Sequence, residues 1–260
     1  MPPIALHARP ATGLIDATIA ILRRRYWDFF LAELIPIAPF LVVAVFVSRA
    51  HITYVAYGTG LAAPLAIAID AWLVAQDFTG EPVSLGDAVR RTLPRWPGLI
   101  AVQVVVVLTC LLGLVGLIVG VFVMVAWMYT AIPAYALEDV GTSGAIDRSL
   151  ALARGNVRHI LGVALAALLG FEILRLTIVS LNTWLWGVAT RHVYIPPRVD
   201  TLVVMIGTLA ILPIVHIPHT VIYYDLRIRC EGIDLEAMAA ALDDPAPAAP
   251  APNAPAADPA

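Results

Sequence analysis

The chain has 260 residues, a formal net charge of -3 at pH 7, 60% hydrophobic residues and only 13% charged residues. Soluble globular proteins carry about 25% charged residues, so this composition excludes an ordinary soluble domain and indicates an integral membrane protein. The net charge says little on its own, and we expect no nucleic-acid partner. The two cysteines, Cys110 and Cys230, lie far apart, and together with six scattered histidines they predict neither a disulfide nor a zinc site.

Six apolar stretches are long enough to cross a bilayer, which takes about 20 helical residues. The first is too long for a cleaved signal peptide, so we expect it to be retained. The third and fourth share one block without a charge, residues 97–137, and the glycines of "LLGLVG" (111–116) predict a turn between them. The predicted spans are residues 29–48, 52–71, 97–113, 117–137, 159–182 and 201–224.

The arginines between the spans predict the orientation in the membrane. Twelve flank the spans on the side that holds both termini, three lie on the opposite side, and Arg175 lies inside a span. By the positive-inside rule, both termini of this multi-pass protein are predicted to face the cytoplasm. Residues 1–242 form the predicted membrane domain, and the Pro/Ala-rich residues 243–260 are predicted to be a disordered cytoplasmic tail.

Three basic segments resemble one another, and each leads into a predicted pair of spans. They are residues 14–30, 85–99 and 144–160. Ser84 and Asp87 have the spacing of a capping box at the start of the second segment, and Gly155 predicts a left-handed helix terminus in the third. The predicted fold is therefore all-α: a polytopic integral membrane protein whose six transmembrane helices form three hairpins, each preceded by an amphipathic interfacial helix.

Arginines near these segments and near the end of the last span are expected to contact anionic lipid headgroups or a partner protein. Alternatively, they only fix the topology, as arginines do in every polytopic protein. The candidate contacts are Arg23, Arg24, Arg25, Arg90, Arg91, Arg95, Arg148, Arg154, Arg158, Arg227 and Arg229.

Charged residues within or near the spans are functional candidates, because a charge in hydrocarbon is costly. Glu172 and Arg175 lie three residues apart on one face of the fifth span. They form either a polar site for a headgroup or coupling ion, or a self-neutralised pair that stabilises the bundle interior. Glu33 and Asp70 lie near the predicted inner boundary of their spans, and they are either further candidates or only interfacial residues.

Two histidines in the last span, His216 and His219, are spaced so that both could bind one metal ion. No third ligand lies near them in the sequence, so we predict no metal site and no cofactor. The charged residues 225–236 follow this span abruptly. We expect Tyr223 and Tyr224 to anchor the interface, salt bridges from the charged residues to the arginine helices, and a further short helix from Asp234.

The segment "YYDLRIRCEGIDLE" (223–236) resembles the C-terminal signature of the glycerophosphoryl diester phosphodiesterase membrane domain family. "PAYALEDVGTSGAIDRSLALARGN" (133–156) is similar to a second hallmark of that family, with a proline at a span end, Glu-Asp, an Arg-Ser helix and Arg-Gly-Asn. The resemblance covers about residues 12–242 and implies a multi-span domain of the bacterial inner membrane, without an established activity. The phosphodiesterase barrel that gives the family its name is not expected here, because only a short Ala/Pro-rich segment follows Leu242.

Two functions remain open at this point. One is a non-enzymatic membrane domain that organises lipids or partner proteins through its arginine-rich inner face. The other is a small transporter or lipid-translocating protein with Glu172 and Arg175 in its route. The sequence contains no G-x-S-x-G, H-E-x-x-H or P-loop motif, so we do not expect an enzyme.

Overall fold

The computed structural model describes residues 9–46, 52–191 and 195–232. These residues are helical almost throughout and contain no strand. The predicted short helix after Asp234 and the predicted tail lie outside the described residues. The helices are α1 (Ala11–Arg24), α2 (Tyr26–Phe46), α3 (Ile52–Thr79), α4 (Leu85–Thr92), α5 (Trp96–Gly113), α6 (Leu117–Met128), α7 (Ala131–Leu137), α8 (Thr142–Ala153), α9 (Val157–Thr190), α10 (Pro197–Ile211) and α11 (Pro213–Glu231).

Six helical segments are long and apolar enough to cross a membrane, which confirms the predicted all-α, polytopic fold. They are Tyr26–Val43, Gly60–Thr79, Leu85–Gly116, Val119–Leu137, Val157–Thr190 and Val199–Glu231. The fifth is longer than the sequence suggested, because the helix continues past Asn182. The Asn182 amide donates a hydrogen bond of 2.8 Å to Oδ1 of Asp200 at the start of α10, so this polar side chain does not end the helix.

The turn in the uncharged block lies where the sequence predicted it, in the 3₁₀ turn Leu114–Gly116. The glycines serve a different purpose from the one expected. The positive φ of 55° belongs to Leu117, whereas a Cβ on Gly113 would lie only 2.9 Å from the carbonyl oxygen of Gly120. The glycines therefore allow α5 and α6 to approach each other closely.

The three amphipathic segments each contain a helix that precedes a pair of spans, namely α1, α4 and α8. The capping box is confirmed, because the backbone N–H of Asp87 donates to Oγ of Ser84 over 3.1 Å. Gly155 has the predicted left-handed conformation, with φ of 79°. Leu14 and Ile21 of α1 are buried, and α1 packs on α9 and α11, so this helix is part of the core.

The last helix, α11, lies at the centre of the bundle and packs against α1, α3 and α9. Its buried residues run from Pro213 to Ile228. At its end, the backbone N–H of Arg9 donates to Oδ1 of Asp225 over 2.9 Å. The first and last described helices therefore meet at one end of the bundle, as an even number of spans requires.

Besides the third span, in which the 3₁₀ turn Leu93–Arg95 joins α4 to α5, two spans each consist of two helices. The fourth breaks at Tyr129 and Thr130, between α6 and α7, and the sixth breaks at Leu212, between α10 and α11. Pro213 has no N–H, so it cannot donate the helical hydrogen bond at its position. The N–H of the preceding residue, Leu212, donates to the carbonyl three residues earlier, that of Leu209, over 3.4 Å. Leu212 itself keeps the right-handed helical conformation, with φ of −59° and ψ of −34°, so this break is a proline kink, and His216 lies in the first turn after it.

Candidate functional site

Three ionisable side chains from three spans meet inside the bundle. Glu33 lies in α2, Asp70 in α3 and His216 in α11, and one nitrogen or oxygen atom of each lies within 4.8 Å of the other two. Nδ1 of His216 is 2.6 Å from Oε1 of Glu33, which is a hydrogen bond. We call these three residues the carboxylate–histidine cluster.

The cluster lies well inside its helices. Glu33 is about 10 Å along α2 from Tyr26, and Asp70 is about 14 Å along α3 from Thr79, at 1.5 Å per residue. Each of the three helices also contains proline, which removes helical hydrogen bonds and bends the axis. These prolines are Pro36 and Pro39 in α2, Pro64 in α3, and Pro218 in α11.

The cluster is closed to solvent and incompletely hydrogen-bonded. Glu33 and Asp70 are 0% exposed, and His216 is 7% exposed. Oε2 of Glu33 and both carboxyl oxygens of Asp70 accept no hydrogen bond from an N–H or hydroxyl donor of the described residues. Buried polar atoms are nearly always paired, and an unpaired carboxylate in a low-dielectric interior is strongly unfavourable. A proton shared by the two carboxyls or a bound cation would satisfy these atoms, so the cluster is a candidate site for a cation.

Thr220 adds a further unpaired atom one helical turn beyond His216. Its side chain is fully buried, and its hydroxyl has no hydrogen-bond partner among the described residues. Residues four apart lie on the same face of a helix, so Thr220 shares the His216 face of α11.

His219 is not part of the cluster. Its ring centroid lies 6.3 Å from that of His216, with the planes at 76°. Its Nδ1 lies 2.9 Å from the carbonyl oxygen of Val215, and its ring stacks on Tyr129 with centroids 4.1 Å apart. Tyr129 lies at the break of the fourth span, so the stack joins the two interrupted spans. The sequence raised a metal site formed by His216 and His219. In the structure His216 instead lies beside two carboxyls, those of Glu33 and Asp70.

A groove of about 240 Å³ runs along the outside of the bundle next to this stack. Apolar side chains form most of its wall, and His219 and Tyr129 are its polar members. The groove thus reaches from the apolar surface to His219, whose ring centroid lies 6.3 Å from that of His216.

The sequence identified Glu33 and Asp70 as candidates but located them near a boundary of their spans. The structure shows that both side chains are buried within the bundle, and it adds His216, which sequence reasoning set aside. The sequence separates Glu33 from His216 by 183 residues, so a search for neighbouring ligands could not find the set. The available signal was a histidine between two prolines in an apolar span.

Glu172 and Arg175 form the predicted ion pair, with Nη2 of Arg175 2.6 Å from Oε2 of Glu172. The expectation that the pair lies in the bundle interior is wrong. The Glu172 side chain is 39% exposed and that of Arg175 is 37% exposed, because they lie on the outer face of α9. The pair is therefore separate from the carboxylate–histidine cluster.

Most of the candidate headgroup arginines already have partners within the protein. Arg91 lies over the ring of Trp72 at 4.7 Å. Three others, Arg23, Arg154 and Arg158, are exposed and make no ion pair with a described residue. The arginines paired with carboxylates are Arg24, Arg25, Arg90, Arg95, Arg148, Arg227 and Arg229.

A network of charges joins α8 to the end of α11. Nε of Arg148 donates to Oε1 of Glu138 over 2.9 Å, and Arg148 also pairs with Glu231, which in turn accepts from Nε of Arg227 over 2.9 Å. The hydroxyl of Tyr223 donates to Glu138 over 2.5 Å. Partial burial lowers the pKa of Arg148, but hydrogen bonds and charges of Glu231 and Glu138 outweigh it and raise the pKa overall. The predicted salt bridges from the C-terminal charges to an arginine helix are confirmed.

Asp225 is a second buried carboxyl at this end, and it is only 2% exposed. Its oxygens accept from the backbone N–H of Arg9 at 2.9 Å and from Nε of Arg229 at 2.6 Å, and Nε2 of His159 lies 2.9 Å away. Both oxygens therefore have partners, in contrast to those of Asp70.

Comparisons of the chain with protein-family models, with curated proteins and with solved structures found no match. The resemblance to the phosphodiesterase membrane domain family therefore stays a prediction, and the candidate site stands on its geometry.

Proposed function

We propose that this integral membrane protein is a small transporter that binds a cation between its spans, at the carboxylate–histidine cluster. The observation that carries the proposal is the burial of two carboxyls with three unpaired oxygens beside a histidine, on three different helices. Ionisable groups inside a membrane are rare because of their cost, and they mark ion pathways and relays. A purely structural role would be met at lower cost by apolar side chains.

The interrupted spans support this function. In secondary transporters, substrate and ion sites are typically formed at discontinuous helices, where irregular backbone lines a cavity. His216 lies in the first turn after the break in the sixth span, and Tyr129 lies in the break of the fourth. The groove that ends at His219 and Tyr129 offers a lateral approach to this region.

The residues proposed for the cation route are those of the carboxylate–histidine cluster, and not the Glu172 and Arg175 pair that the sequence suggested. Glu33 and Asp70 supply the negative charge for the cation, and His216 supplies a nitrogen and holds Glu33 in position through its hydrogen bond. Glu172 and Arg175 lie outside the route, on the outer face of α9.

We also propose the orientation and setting that the arginine distribution favours. Both termini face the cytoplasm of a bacterial cell and the cluster lies in the inner half of the membrane, because α3 and α11 end among the arginines. The protein is not an enzyme and has no nucleic-acid partner. Its relationship to the phosphodiesterase membrane domain family is part of the same proposal.

A second candidate function is the organisation of lipids at the inner face. It is favoured by Arg23, Arg154 and Arg158, which are exposed and make no ion pair with the described residues. Such arginines attract anionic lipid, with about 1 kcal/mol for each residue near the surface. Retention of phosphatidylglycerol in a mild detergent tests this function, and replacing the three arginines by glutamine should release the lipid. If the lipid stays bound to the triple variant, the lipid-organising function is wrong.

Cation flux into liposomes tests the transporter. Purified protein is reconstituted into vesicles that contain cation-sensitive dyes, and wild type is compared with Asp70→Asn and Glu33→Gln. The matched control replaces Glu172 and Arg175 together by glutamine, which also removes intramembrane charge but leaves the cluster intact. We expect flux in the wild type and the control, and none in the cluster variants. Equal flux in all four proteins, or loss of flux only in the control, would refute the proposal.

A further inference from the structure

We propose that the carboxylate–histidine cluster binds a divalent transition-metal ion such as Zn²⁺ or Mn²⁺. The ligands are Nδ1 of His216 and one or more carboxyl oxygens each from Glu33 and Asp70. This inference rests on the proposed cation site and names the class of its ion.

The donor atoms favour this class over other cations. Mg²⁺ and Ca²⁺ bind oxygen ligands almost entirely, whereas an imidazole nitrogen suits Zn²⁺, Fe²⁺ and related ions, and carboxylates suit Mn²⁺ as well. The nitrogen of His216 that faces the carboxyls is Nδ1, at 2.6 Å from Glu33. A mixed nitrogen and oxygen set of this kind is therefore selective for transition metals.

The charge of the cluster favours a divalent ion. Glu33 and Asp70 bring two negative charges when ionised, and both are 0% exposed. A monovalent cation would leave one charge uncompensated in a low-dielectric interior, which is strongly unfavourable. A divalent cation compensates both.

The spacing of the ligand atoms is compatible with one ion. Bonds of about 2.0–2.2 Å place neighbouring ligand atoms about 3.0–3.5 Å apart. The atoms of the cluster lie within 4.8 Å of one another, which a small closure of the helices brings into range. Nδ1 of His216 and Oε1 of Glu33 are 2.6 Å apart, which is closer than two ligands of one ion. The ion therefore replaces this hydrogen bond, and the two atoms separate by about half an ångström.

Thr220 is the candidate for a further contact with the ion or with a ligating carboxyl. A threonine in a helix commonly donates its hydroxyl to the carbonyl four residues earlier. Thr220 does not make this bond, although His216 is the residue four positions before it. The threonines that do make it are Thr18, Thr79, Thr92, Thr177, Thr183 and Thr190.

Metal binding to the full chain tests the inference directly. The protein is purified in a mild detergent with a tag that contains no histidine, stripped with a chelator, and titrated with Zn²⁺ against a chelating dye. We expect one Zn²⁺ per chain, no competition from Mg²⁺ or Ca²⁺, and affinity lowered by about 10–100-fold or more in Asp70→Asn and His216→Gln. The double glutamine variant of Glu172 and Arg175 should bind like wild type.

A second measurement covers the case in which a cluster variant does not fold. Co²⁺ bound to the wild type gives an absorption spectrum that reports its ligands, and a nitrogen and oxygen set is expected. No Zn²⁺ binding by the wild type, or binding unchanged in folded cluster variants, would overturn the inference.

The outcomes separate this inference from the proposed transporter. Zn²⁺ binding without any cation flux would leave the metal site in place and overturn the transport function. Flux of Na⁺ or protons without transition-metal binding would do the reverse.

Discussion

Two buried aspartates in this protein have opposite surroundings. Asp225, at the arginine-rich end of the bundle, is 2% exposed and both its oxygens have partners, from Arg9, Arg229 and His159. Asp70, in the interior, is 0% exposed, and neither of its oxygens accepts a hydrogen bond from a donor group of the described residues; its polar neighbours are the Glu33 carboxyl and the His216 ring. The first carboxyl is satisfied by the fold itself, and the second requires something that the fold does not supply.

The presence or absence of hydrogen-bond donors around a buried carboxyl distinguishes structural charges from functional ones more clearly than its position in the sequence does. Arg148, Glu138 and Glu231 likewise satisfy one another and join α8 to α11. Breaking such a set leaves a buried charge without its partner, which is costly. Neutralising a carboxyl that has no partner removes a cost instead. The same chemical change should therefore have opposite effects in the two regions.

The largest effect is expected from Asp225→Asn. The substitution removes the charge that faces Arg229 and His159, and the free energy of unfolding should fall by about 3 kcal/mol. Asp70→Asn is the matched control, and in excess chelator it should be at least as stable as the wild type. Thermal unfolding in detergent measures both. Equal destabilisation by the two substitutions would remove the distinction between the regions.

A metal ion should stabilise only the region that lacks partners. Zn²⁺ at one hundred times its dissociation constant should raise the free energy of unfolding of the wild type by about 2.7 kcal/mol. Asp225→Asn, if folded, should gain the same amount, because its cluster is intact. Asp70→Asn should gain much less, and a full gain in this variant would show that the ion binds elsewhere.

A smaller loss is expected when one hydrogen bond of the arginine–glutamate network is removed. Tyr223→Phe deletes the hydroxyl that donates to Glu138 over 2.5 Å and should cost about 1–2 kcal/mol, since the acceptor is charged. The control is Tyr224→Phe, which keeps the ring stacked on Phe78 at 4.6 Å. Denaturant titrations of the two variants should rank them in this order, and the reverse order would count against the network.

The smallest effect is expected on the outer face of α9. Replacing Glu172 and Arg175 together by glutamine removes a pair that is already neutral and half-exposed, so the free energy of unfolding should change by about 0.5 kcal/mol or less. A large loss of stability, measured in the same thermal assay, would mean that the pair stabilises the bundle in spite of its exposure.

The sequence was a good guide where the physics is local. The six spans follow from apolar length, the break at Leu114–Gly116 from glycine, and the start of α4 from the spacing of Ser84 and Asp87. The Glu172 and Arg175 pair follows from helical spacing as well. Each of these depends on residues a few positions apart.

The candidate site could not be predicted in the same way. Its three helices come together only through packing, and the side a helix turns to its neighbours is not fixed by an apolar sequence that is nearly uniform around the axis. This is why the sequence did not join Glu33 and Asp70 to His216, and why the Glu172 and Arg175 pair was assigned to the interior.

The central location of α11 also determines when the site can exist. Chains are made from the N-terminus, and early segments fold first, so α2 and α3 enter the membrane with Glu33 and Asp70 before His216 has been synthesised. During that interval the two acids have each other but no imidazole. The newborn hairpin must therefore cross the bilayer without its basic partner, and the last helix to be made completes the site.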